Sequence, residues 1–233
     1  MLRLHPAKSP ASGIVAAGWM LAAVAMVHIP EGRSQGGYSE SGYSEAAYYE
    51  DGGPVHHHEL LRRAISLQER DEHGAALPLL REALLATRAR DGLYHGDQLD
   101  ILHRLIESES MGANWRQVDD YFALLRSLYE RLYADDPGCL ELGLALVTDW
   151  HVDALRHDLD GRPVPHLRQA RELFKQRLRL AEGAANPDAG KIERLRRNIG
   201  IAESHLTLYS LGDSQALREW QARQREVLLS SNW

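Results

Sequence analysis

"GANWRQVDDYFALL", residues 112–125, decides the fold. Gly112 supplies a turn, Trp115 opens a helix, and Val118 and Phe122 stand four residues apart, on one helix face. Within that stripe a β-branched residue is followed one turn later by an aromatic. The first lets a neighbouring helix approach, and the second fills the gap beyond it.

Working outward from this helix, residues 56 to 233 show apolar spacings of three and four throughout and no strand-like alternation. The pattern predicts an all-α domain of eight helices at about 58–71, 75–90, 97–109, 115–133, 139–157, 164–181, 187–209 and 214–229. Breaks fall where the chain supplies them, at Gly74 and at "ADDPG" (134–138). On the first helix Leu60, Leu61, Ala64, Ile65 and Leu67 share one side.

The small-then-bulky step recurs on every second helix, as Ala76 and Leu80, Val118 and Phe122, Ala170 and Phe174, and Ala216 and Trp220. The repeats are 42, 52 and 46 residues apart. This resembles the tetratricopeptide repeat, in which the second of two antiparallel helices carries a small residue and then an aromatic. "GANWRQVDDYFALL" carries the likeness best, with "HGAALPLLREAL" (73–84) and "LGDSQALREWQAR" (211–223) beside it. The chain departs from the family in its longer period, in Val118, which is large for the small slot, and in lacking a Trp-Leu-Gly-Tyr set on the first helices. The resemblance implies a TPR-like α-solenoid over residues 56–233, with helix-turn-helix pairs stacked antiparallel and an open surface that binds other proteins.

Ahead of the helical region the composition changes twice. Arg3 and Lys8 precede an uncharged run from Ser9 to Val27 whose centre is "GIVAAGWMLAAVAMV" (13–27). Fifteen residues span about 22 Å as a helix, short of a bilayer core of about 30 Å. Ala23-Val24-Ala25 offers the small residues a signal peptidase accepts. Residues 1–29 are therefore expected to be an export signal or a membrane anchor, and either places the rest of the chain outside the cytoplasm, periplasmic or tethered at the envelope. Residues 30–55, "PEGRSQGGYSESGYSEAAYYEDGGPV", are almost free of aliphatic side chains and are expected to form a flexible acidic Gly/Ser/Tyr linker.

Composition excludes several classes. The 233 residues carry a net charge of −6, against a protein built to hold nucleic acid. Cys139 is the lone cysteine, so neither an internal disulfide nor a cysteine-rich zinc finger can form; its place in "PGCLELGL" reads as a small buried thiol. Phosphate-cradling, dinucleotide, nucleophile-elbow and HExxH motifs are absent, and "HELLR" (58–62) has Arg62 where the second zinc histidine belongs. The sequence thus predicts no enzyme activity, no catalytic residue and no cofactor. His56, His57 and His58 point about 100° apart on a helix and are read as a helix start behind Pro54 rather than a metal site.

Two polar features remain. In "DWHVDALRHDLD" (149–160), Asp149, Asp153 and His157 fall at i, i+4 and i+8, a stripe read chiefly as a solvated acidic face. The alternative is a small envelope metal-binding protein or enzyme centred on residues 149–160, with a second helix completing the ligands. Charge is also polarised: residues 97–160 hold 14 acidic side chains against 5 arginines, net −9, and residues 162–230 hold 13 basic against 8 acidic, net +5. Arg194, Arg197 and Asn198 are the candidate partner-binding residues, suited to a partner's carboxylates. The functional expectation is an exported or membrane-tethered protein-protein interaction module, an adaptor or scaffold of the envelope. A structural subunit of a larger envelope assembly is the other alternative.

Overall fold

The computed structural model describes residues 54–210, which form seven helices and no strand. These are α1 (Pro54–Gln68), α2 (His73–Asp91), α3 (Asp97–Met111), α4 (Trp115–Leu132), α5 (Pro137–His157), α6 (Pro163–Glu182) and α7 (Ala189–Ser210). The expected export segment, most of the linker and the expected eighth helix at 214–229 lie outside the described residues. Among the described residues no helix is long and apolar enough to cross a membrane.

Helix boundaries follow local chemistry. α1 begins at Pro54, four residues before the expected start and inside the expected linker, because proline at a first helical position has its φ preset and no N–H to satisfy. α5 begins behind Asp136, whose carboxylate accepts from Gly138 N and Cys139 N at 3.0 Å each, with Pro137 next in line. It ends at Asp158, which turns the chain at a left-handed φ of 50°. α2 ends at Gly92, whose φ of 89° a side chain would resist.

Each helix packs principally on the helices before and after it in the chain. One apolar core runs from Leu60 and Ala64 through Leu80, Leu102, Leu105, Leu125 and Leu144 to Trp150 and Ala154. A second, smaller seam of Val152, Ala170, Phe174, Ala181 and Leu195 joins α5, α6 and α7. The small-then-bulky pairs within the described residues are all buried: Ala76 with Leu80, Val118 with Phe122, Ala170 with Phe174. At the α4–α5 contact the ring of Tyr129 rests directly over the Cα of Gly143, an approach that leaves no room for a Cβ.

Two buried polar side chains in the larger core, Glu109 and Gln98, are paired. Glu109 on α3, 1% exposed, accepts from Arg81 Nη2 at 2.5 Å and Asn114 Nδ2 at 2.7 Å, so its charge is compensated. Gln98 accepts from Arg88 Nε at 3.0 Å and donates to the Gly92 carbonyl at 2.9 Å.

Candidate functional site

The polar centre of the molecule sits where α4, α5 and α6 meet. On α5, Val147, Trp150, His151 and Ala154 are buried at spacings of three, one and three, so a histidine lies on the apolar face. α6 starts at Pro163 and buries His166 one turn in. Between the two helices the chain turns through Asp158 and Gly161, both at positive φ, and Asp160 accepts from the Arg162 backbone N–H at 2.9 Å.

These elements bring two imidazoles together, with their ring planes tilted by 51°. His151 Nδ1 and His166 Nδ1 lie 2.8 Å apart, and both residues are buried. His166 Nε2 reaches Asp160 Oδ2 at 3.1 Å. From α4, Asp119 places Oδ1 3.8 Å from His151 Nδ1; the same oxygen accepts from Trp150 Nε1 at 2.9 Å, and Oδ2 accepts from Arg162 Nη2 at 3.4 Å. Arg162 also donates to Asp160 Oδ2 at 2.8 Å, so one guanidinium ties both carboxylates. Trp150 stacks on Phe122 at 5.3 Å and meets His166 edge-on at 5.7 Å, closing the apolar side.

Charge states follow from these surroundings. Burial, with smaller contributions from the adjacent imidazole and from Arg126, pushes His151 down to about 3, so its ring is neutral at pH 7. Desolvation works to raise Asp160, but hydrogen bonds from Arg162 and His166 outweigh it and hold the carboxyl down to about 2. An ionised Asp160 accepts a hydrogen bond from His166 Nε2–H, and in the neutral ring that tautomer leaves a lone pair on His166 Nδ1 aimed at His151. Chemically, that nitrogen can accept a proton from His151 Nδ1–H, or the two nitrogens can share a Lewis acid.

Asp149, Asp153 and His157, the stripe singled out by spacing, are not brought together. Asp149 and His157 are exposed, and Asp153 pairs with Arg156 at 3.3 Å. Among the described residues, three such ligand atoms lie within 4.8 Å of one another at Asp119, His151 and His166, and at Asp91, His95 and Asp97. The second group already surrounds a cation, since Arg90 Nη2 lies 2.5 Å from Asp91 Oδ2 and 3.3 Å from Asp97 Oδ2. His57 is buried against the Arg90 guanidinium at 2.8 Å, while His58 is exposed.

Arg194 and Arg197 are exposed on α7, Arg197 pairing with Glu193 at 3.1 Å, and Asn198 is half-buried. A shallow cleft of about 250 Å³ between the start of α6 and the end of α7 is lined by Val164, Arg168, Arg171, Leu206, Tyr209 and Ser210, and none of the three candidate residues lines it. Cys139 is half-buried at the start of α5 rather than a core thiol, because the helix start that carries it is open to solvent. The adjacent Asp136 carboxylate pushes its thiol up, away from a reactive thiolate.

Comparison with known protein families, with characterised proteins and with solved structures finds no match to any of them.

Proposed function

We propose that the chain is an exported or membrane-tethered adaptor of the cell envelope that binds other proteins through a layered array of helix pairs. The observation that carries this reading is packing confined chiefly to chain neighbours. Helices covered by two neighbours keep a third face for a partner, as in stacked-repeat scaffolds. Large apolar side chains stand in water accordingly: Leu85 on α2, Leu124 on α4 and Leu142 on α5 are 64%, 38% and 53% exposed. The apolar run from Gly13 to Val27 behind Arg3 and Lys8 supports export, and the Arg194 and Arg197 pair supplies donors for a partner's carboxylates.

The experiment is a crosslinking capture from native envelope with full-length bait, wild type against an Arg194→Glu/Arg197→Glu double variant, with mass spectrometry of bait and prey. The adaptor reading expects a defined prey that the double variant loses and a bait recovered in the envelope fraction. A cytoplasmic bait, or the same proteins on both baits, overturns it.

A further inference from the structure

We propose that Asp119, His151 and His166 together bind one divalent transition-metal ion of the zinc class, which clips α4, α5 and α6 to one another. The donor set is two imidazole nitrogens and one carboxylate oxygen, the chemistry that borderline divalent ions select over calcium or magnesium. All three ligand atoms lie within 4.8 Å of one another, and each comes from a different helix.

The surrounding groups are those that a bound ion needs. Asp160 engages the far nitrogen of His166 at 3.1 Å, fixing the tautomer in which Nδ1 presents its lone pair inward. Trp150 and Arg162 hold Asp119 by its two oxygens, at 2.9 and 3.4 Å, which aims the carboxylate at the histidines.

The fit also requires a small adjustment. Nitrogens that share a tetrahedral ion at about 2.0–2.1 Å lie about 3.3 Å apart. The two Nδ1 atoms, now at 2.8 Å, therefore separate by about half an ångström as the ion enters. Three protein ligands leave one position for water. This site stands independently of the adaptor reading.

The test uses the purified full-length chain, stripped with a chelator and titrated with Co²⁺ and then Zn²⁺. One Co²⁺ per chain is expected at micromolar protein, with the visible absorption of low-coordinate cobalt, displaced by Zn²⁺, and Zn²⁺ raises the unfolding temperature. Asp160→Asn, which touches no ion, weakens uptake by about 10–100-fold. Asp119→Asn and His166→Gln weaken it at least as much, and the Asp153→Ala/His157→Ala pair leaves it unchanged. Should His166→Gln fail to fold, the less buried Asp119→Asn and Asp160→Asn decide, with circular dichroism confirming their helix content. No Co²⁺ uptake, or uptake that survives Asp119→Asn and disappears on replacing His56, His57 and His58, overturns the proposal.

Discussion

α3 and α7 are nearly opposite in what they bury. α3 has 15 residues and buries eight of them, from Gln98 to Glu109; α7 has 22 residues and buries only Leu195 and Ala202. α3 is covered by α2 and α4, whereas α7 packs principally on α6. Among the described residues, burial is thus concentrated in the α2–α5 region, while α7 is held by a thin apolar seam and by ion pairs to its neighbours. Elements with few buried apolar contacts open locally at a lower free energy than the whole.

The largest expected effect comes from cutting into the dense region. Leu102→Ala removes a side chain with no exposure and should cost about 2–5 kcal/mol of global stability, read from denaturant midpoints. Leu195→Ala should instead raise amide exchange along α7 while α3 keeps its protection. Equal global losses from the two substitutions would show a single cooperative unit and break the contrast.

Gly143→Ala probes the α4–α5 contact inside the dense region. Helix propensity alone predicts a gain of about 0.5–1 kcal/mol. With the Tyr129 ring against the glycine, a methyl group must displace α5 from α4, and the expected result is a loss of about 1–3 kcal/mol. A stabilised variant would mean that the Tyr129 ring swings aside freely.

The helices were legible in sequence because the signals that set them are local. Apolar spacing and breakers placed α2 through α7 within a few residues of where they lie, and Val118 with Phe122 marked a buried contact correctly. Pro54 was harder, since a proline after two glycines reads as a turn as readily as a first helical residue. The histidine cluster was not legible, because Asp119, His151 and His166 are 32 and 15 residues apart on three helices, and only tertiary packing joins them. One signal was available: His151 shares a face with Val147 and Ala154, so its ring had to turn inward. The polar stripe of Asp149, Asp153 and His157 drew the reading to the opposite, solvated side of the same helix.

Ion pairs also tie α7 to the rest of the fold. Glu141 on α5 accepts from Lys191 Nζ at 2.7 Å and Arg177 Nε at 3.2 Å, joining α5 to α6 and α7, and its side chain is 14% exposed. Glu141→Gln should cost about 1 kcal/mol, seen as faster exchange at the start of α7 and little change in α3. Raising the salt concentration should shrink the difference between variant and wild type, since screening weakens the wild-type pairs first.

One expected effect is confined to a single pH window. Burial lowers His205 on α7 to about 4 from an ordinary 6.5. The folded helix therefore keeps this ring neutral while the opened chain protonates it near 6.5, so the opened state binds the extra proton between those values. Stability of α7 is full above about 6.5, falls as the pH drops toward 4, and levels off below that. His205→Gln should flatten this slope in the exchange of α7. Burial, opposed in part by Asp100, also lowers His103 on α3, but α3 exposes that ring only on global opening. Its amides should therefore respond to pH only together with the whole domain. A His205→Gln variant whose α7 keeps the wild-type pH slope would show that the helix opens with the core and not ahead of it.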